Sequence, residues 1–379
     1  MKNIYRLIKA LTFIFVCMLF LCGCTAKDTR TTIQFASWGS KSETDILKPI
    51  LSEFEKENPN IKVDFMHIPQ NYFQKIHLLF ASNTAPDVLF INNLYLPVYA
   101  NAGVLEELNI DNQSDFYPQA TEAMTWNGKI YAIPRDISNL VIFYNKDLFD
   151  KKNVPYPNQN WTFEDFLQTA IKLTDKNTFG ISFEENPYYY IPYLLSCGGD
   201  ILPDKINTTE SQYALNFYSD LRNKYHVAPK KYEIASATMA QMFTQQRIAM
   251  YLSGRWMVPK LREECKFDWD IVQFPKGTKG SIVQADSSGW AISKSSKHKD
   301  EAYKLIKYLS SKQSSDKFVS SGLIVPARID GKKAFLDNKK PINAKVFIDI
   351  IPTSKPTAVT IDYREIIDNL QSNMEKKFN

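Results

Sequence analysis

Residues Ile130–Phe149 read IYAIPRDISNLVIFYNKDLF. Two apolar runs, Lys129–Ile133 and Leu140–Tyr144, are rich in β-branched and aromatic residues and predict two strands. Asn127-Gly128 is a turn signal ahead of the first. Pro134 has no N–H to give a ladder, so it is expected to end that strand. Arg135-Asp136-Ile137-Ser138-Asn139 is then a polar loop. Polar side chains are costly to bury without partners, so this loop is expected to be a hinge whose lining faces a cleft.

On the N-terminal side the chain alternates strands and helices. Ile33–Ala36 is a strand followed by Ser37-Trp38-Gly39-Ser40. Ligands bind at such carboxyl-terminal loops in open α/β sheets. Trp38 reads equally well as a core residue over the next helix. Ser42 and Asp45 form an expected capping box, and Ile46, Leu47, Ile50, Leu51 and Phe54 share one helical face. Pro49 is expected to kink this helix. Ile61–Phe65 is the second strand, and Tyr72–Ala81 the second helix. Pro86-Asp87-Val88 opens the third strand, where Asp87 reads as structural. Asn92 and Asn93 end it with short side chains that donate and accept. This alternation argues for an α/β lobe up to Pro134.

Beyond the hinge, Thr162 and Asp165 form a second capping box, and Gly180–Phe183 reads as a strand. Asn186-Pro187-Tyr188-Tyr189-Tyr190 and Gly198-Gly199-Asp200 follow. Three consecutive tyrosines cannot share one face, so one is expected at the cleft and two packed inward. Asp286-Ser287-Ser288 is a polar trio ahead of Gly289-Trp290-Ala291-Ile292, and Lys299–Ser310 is an amphipathic helix. One helix is expected near the end, from Asp362 to Lys377.

The chain has 379 residues, enough for two domains, with 44% hydrophobic and 23% charged residues. Lys2, Arg6 and Lys9 precede an apolar run, Leu11–Leu21, too short for a confident membrane span. Leu21-Cys22-Gly23-Cys24 looks like a lipobox, which makes 1–23 a lipoprotein signal peptide, Cys24 the lipidated residue and 24–32 a tether. The alternative is a plain membrane anchor. Without residues 1–23 the 46 Lys+Arg become 43 against 41 Asp+Glu, so no nucleic-acid surface is indicated. Cys197 and Cys265 either pair or remain as two thiols. The histidines are scattered, without metal-ligand spacing, and no cofactor is expected.

Tyr144-Asn145-Lys146-Asp147-Leu148-Phe149, Pro86-Asp87-Val88, Gly198-Gly199-Asp200 and Gly254-Arg255-Trp256 together resemble bacterial extracellular solute-binding proteins of the carbohydrate type, the maltodextrin-binding-protein-like group. The resemblance runs from Ile33 to Arg328 and fades beyond. It implies a two-lobed α/β fold of the periplasmic-binding-protein type II, with a mixed sheet flanked by helices in each lobe and crossing hinge segments between them. The N-terminal lobe would combine 33–136 with 287–325, and the C-terminal lobe 137–286 with 326–379. It also implies a monomer that binds a carbohydrate and serves the permease of an ABC importer.

By the same resemblance Trp256 is an aromatic platform under a sugar ring. Asn186 and Tyr188 fall at an acidic and an aromatic sugar contact, and Asn186 departs from that acid. The implied ligand set is Trp38, Ser40, Asn92, Asn93, Arg135, Asp136, Asn186, Tyr188, Trp256, Asp286 and Ser287. Three other readings compete. A polyamine site would use Asp136 and Asp286, and a phosphodiester site Arg135 and Arg255. A polysaccharide-cleaving enzyme needs facing carboxylates, which the adjacent pair Glu184-Glu185 does not supply.

Overall fold

The computed structural model describes residues 28–336 and 339–378, so the expected signal peptide and Cys24 lie outside the described residues. Six strands precede the hinge: β1 (Thr31–Ser37), β2 (Ile61–His67), β3 (Val88–Asn92), β4 (Thr125–Trp126), β5 (Lys129–Ile130) and β6 (Ile133–Ser138). Then come β7 (Leu140–Asn145), β8 (Phe179–Ile181), β9 (Ile248–Gly254), β10 (Trp269–Val272), β11 (Asp286–Ile292) and β12 (Val325–Pro326). One sheet has the order β12-β6-β11-β3-β1-β2 and the other β10-β7-β9-β8. Helices flank both, giving two α/β lobes. The chain enters the second sheet after β6 and returns to the first at β11.

The expected loop at 135–139 is instead strand. Arg135, Asp136 and Ile137 are buried inside β6, and only Asn139 separates β6 from β7. Pro134 does not end the strand because it sits at a bulge. Ser288 pairs with Asp136 and Gly289 with Pro134, leaving Arg135 with no counterpart on β11. A bulge is one of the few sheet positions that tolerate proline. Gly289 allows the close approach, since a Cβ there would lie 2.3 Å from the Ile133 carbonyl oxygen.

The first lobe packs around Phe35, Phe90 and Trp290, with Trp290 5.4 Å and 4.7 Å from the two phenylalanine rings. Each such fully buried side chain contributes roughly 1.5–3 kcal/mol. The helix expected to start at a Ser42–Asp45 capping box starts two residues earlier. Ser40 is its N-cap, without a side-chain cap bond, and the helix runs Lys41–Glu57 through Pro49. The Thr162–Asp165 capping box is present. The C-terminal chain returns to the crossings: Ala285 N–H donates to the Lys355 carbonyl at 2.7 Å. The final helix, Tyr363–Phe378, packs on helix Thr209–Asn223 and sets Phe378 edge-on to Phe183.

Candidate functional site

The bulge in β6 turns two consecutive charged side chains into the floor of a cavity of about 200 Å³. Arg135 Nε and Nη2 donate to Asp136 Oδ2 at 2.8 and 2.6 Å, and Nη1 donates to Glu43. All three groups are buried. The Ser288 N–H donates to Asp136 Oδ1 at 3.1 Å. The Arg135 guanidinium lies 4.2 Å from the Phe90 ring and 5.3 Å from Phe318. Burial alone would lower the Arg135 pKa, but Glu43 and Asp136 hold it above the ordinary value. Burial raises the Asp136 carboxyl despite Arg135. Arg135 and Asp136 thus line a cleft, as strand residues that bind each other.

A second polar cluster ties the crossings together. Asp286 accepts from Asn93 Nδ2 at 2.8 Å and from the Thr357 N–H and hydroxyl at 2.8 and 2.9 Å. Burial raises its carboxyl, with those donors opposing. The Ser287 N–H donates to Asn93 Oδ1 at 3.2 Å, and its hydroxyl to the Asp136 carbonyl at 2.6 Å. Asn93, Asp286 and Ser287 therefore spend their hydrogen bonds on the crossings.

Aromatic rings wall the cleft from both lobes. From the second lobe, Trp256 lines the floor cavity, and Tyr188 lies 6.3 Å from it at an interplanar angle of 50°. Asn186 is exposed, and its Oδ1 accepts the Tyr188 N–H at 2.9 Å, so it fixes the turn that carries the ring. Burial, then Asp286, raises the Tyr188 hydroxyl pKa. From the first lobe, Trp38 packs edge-on to Tyr72, Phe73 and Phe90. Trp38 also borders an open groove of about 540 Å³ with Ser40, Gln70, Phe73 and Asn92. Tyr189 is half-buried and Tyr190 buried, its hydroxyl donating to the Ser211 carbonyl at 3.1 Å.

Glu43, Gln70, Phe73 and the Leu323–Val325 segment join this cleft without having been singled out from sequence. Glu43 lies in a helix's first turn, where an acidic residue is explained by the helix dipole alone. Its carboxylate abuts Gly39, whose φ of +119° and lack of a Cβ make room for it. Arg255 lines the same cavity, 4.3 Å from the Phe335 ring. A larger depression, about 690 Å³, lies at the starts of β8 and β9 beside Lys176 and Arg247, and none of its lining comes from the first sheet. Among the described residues no group of three or more His, Cys, Asp or Glu could hold a metal ion. Cys197 and Cys265 are both free thiols.

Comparison with known proteins adds to this geometry. The family profile of the bacterial extracellular solute-binding proteins matches residues 40–315. The multiple sugar-binding protein of Streptococcus mutans is 25% identical over 353 residues, covering 83% of this chain and 80% of that protein. The galactooligosaccharide-binding protein of Bacillus subtilis is 22% identical over 321 residues, covering 80% and 75%. Among solved structures, an ABC substrate-binding protein of Listeria monocytogenes in complex with cycloalternan superposes with a TM-score of 0.86 at 28% identity. That match covers 92% of this chain and 94% of the other.

Proposed function

Because this chain belongs to the bacterial extracellular solute-binding protein family, we propose that it is the lipid-anchored receptor of an ABC importer. It takes a sugar or oligosaccharide into the cleft between its lobes and delivers it to the membrane permease. The protein binds and does not catalyse.

One observation carries the choice of ligand: the cleft joins aromatic walls to a floor whose charged groups already bind one another. Sugars present apolar ring faces and hydroxyl edges. Trp38, Trp256 and Tyr188 suit the faces. The Glu43–Arg135–Asp136 cluster suits the edges, through charge-assisted hydrogen bonds. A polyamine would want unpaired carboxylates, yet Asp136 and Asp286 are supplied with internal donors. A phosphodiester would want an unmatched cation, and Arg135 faces two carboxylates. The sugar names of the Streptococcus and Bacillus relatives point the same way.

A ligand touching both lobes favours the closed arrangement through its differential affinity for it. Lipid on Cys24 would keep the receptor beside its permease, and a diacylglyceryl cysteine carries the two chains that stable anchoring needs. Tryptophan fluorescence titrated with mono- and oligosaccharides tests the binding reading. A saturable change for one sugar series, weakened about tenfold or more in Trp256→Ala, is expected. Saturation by a polyamine or glycerophosphodiester, with no sugar active, overturns it. Membrane retention lost in Cys24→Ala tests the anchor.

A further inference from the structure

The depression of about 690 Å³ at the base of the second lobe has the size of a ligand site, roughly 300–1,000 Å³, and takes no part in the cleft. Three segments far apart in sequence shape it: the last turn of helix Lys146–Lys151, the entry to β8, and the turn from helix Met239–Thr244 into β9. Each brings one cation, namely Lys151, Lys176 and Arg247. Among the described residues none of the three forms an ion pair. The carboxylates nearby are engaged. Asp175 pairs with Lys152 at 2.7 Å and accepts the Asn177 and Thr178 N–H groups at 2.8 and 3.0 Å. Glu233, the acid of the lining, accepts the Lys230 N–H at 2.7 Å.

The helix dipole accounts for Lys151, which sits in a last turn. It accounts for neither Lys176 nor Arg247, which lie outside helices. Arg247 is half-buried, and one bond aims it: Nη2 donates to the Glu233 carbonyl at 2.9 Å. The rest of its five-donor fork is left for a ligand. Gln246 beside it holds a φ of +59°, a left-handed conformation unfavourable for a non-glycine residue. Its Oε1 accepts from Asn145 Nδ2 at 3.4 Å, which leaves its own amide N–H groups to donate. Like charges gathered without a counter-charge repel one another. Three cations against the Glu233 carboxylate leave an excess of two positive charges. A phosphate ester near pH 7 matches that excess, with about −1.5 to −2 and three acceptor oxygens.

We propose that this depression is a second ligand site, for a phosphate group. The Arg247 fork takes two of its oxygens, the Gln246 amide donates to the third, and Lys151 and Lys176 supply point charges. The site works independently of the cleft. β9 starts at the depression and ends at Gly254, beside Trp256, so a strand of seven residues, roughly 20 Å long, separates the two.

The test is calorimetric titration of the full chain, solubilised in a neutral detergent, at low ionic strength, because exposed charges are screened by salt. The probes are inorganic phosphate, glycerol 3-phosphate and the diester glycerophosphoglycerol. Saturation by at least one of them is expected, with a Kd of about 1 mM or tighter, weakening as salt is raised. Tighter binding of the monoester assigns a small phosphorylated solute, and tighter binding of the diester assigns one link of a phosphodiester chain. Lys176 is exposed and bonded to nothing among the described residues, so Lys176→Gln leaves the fold alone and should weaken binding about tenfold. Arg247→Gln should weaken it at least as much, and Arg247→Lys should restore only part. Sugar titrations followed by tryptophan fluorescence should be the same in all three variants. No saturation by any probe overturns the proposal. So does an unaltered Kd in the Lys176→Gln, Arg247→Gln double variant, or displacement of the bound ester by sugar, which would place it in the cleft.

Discussion

The side-chain amide of Gln284 donates to the Tyr188 carbonyl at 2.7 Å. Gln284 is fully buried just ahead of β11, two residues before Asp286. The turn that carries an aromatic wall is thereby fastened to the strand that returns between the lobes. Asn186 fastens the same turn through the Tyr188 N–H. Gln284→Leu should leave a part-buried carbonyl without its donor, at a cost of about 1 kcal/mol, and should weaken ligand binding several-fold. Urea unfolding and fluorescence titration measure the two effects. Lower stability with unchanged affinity would make the bond purely structural.

Gly254 bears on the other ring. A Cβ there would lie 2.0 Å from the Trp256 ring, while its φ of −109° is open to any residue. Gly254→Ala should therefore push Trp256 aside rather than strain β9. We expect a shifted tryptophan emission spectrum and about tenfold weaker ligand binding. A variant with the parental spectrum and affinity would contradict the packing described.

Removing Arg135 from the buried cluster leaves the Glu43 and Asp136 carboxylates without their counter-charge. Arg135→Met should cost about 3–5 kcal/mol, seen as a lower denaturant midpoint with an unchanged slope. Arg135→Lys should recover only part of this, since a point charge cannot reproduce the guanidinium's divergent bonds. Full rescue by lysine would show that charge alone matters there.

Glu184 is half-buried, and no side chain among the described residues donates to its carboxylate, whereas its neighbour Glu185 pairs with Arg222 at 2.8 Å. Burial pushes the Glu184 carboxyl up to about 7. A raised folded-state pKa stabilises the protein below the unfolded value of 4.5, and that contribution is lost as pH rises toward 7. Glu184→Gln should thus be close to neutral at pH 4.5 and stabilising by about 1–2 kcal/mol at pH 8, after allowance for solvent screening. Thermal melts of both proteins across this range give the answer, and a gain independent of pH would exclude titration of Glu184 as its source.

Local patterns in the sequence located what local patterns build. Helix Tyr72–Ala81 and the Thr162–Asp165 capping box follow from spacing over a dozen residues. Pro134 misled because its fit depends on a strand far along the chain: the Ser287 hydroxyl meets the Asp136 carbonyl 151 positions away. Nothing near Pro134 announces the bulge that accommodates it. Trp38 and Trp256 stood as candidates partly by resemblance, and only the fold brings them to one cavity. Glu43 stayed hidden because its role is set by Arg135, 92 residues later.

The order β12-β6-β11-β3-β1-β2 also dictates when the first sheet can be completed. β11 lies between β6 and β3, yet residues 286–292 follow every strand of the second sheet in the chain. While the polypeptide emerges from its amino terminus, β3 and β6 have no strand to join them until some 280 residues are out. The second sheet, β7 to β10, is contiguous and needs nothing that comes later for its ladder. The sheet under the amino-terminal half of the cleft thus closes only after the second sheet's strands are all made. A chain made from its amino terminus is kept waiting by its own topology, because the strand that locks the first sheet arrives late.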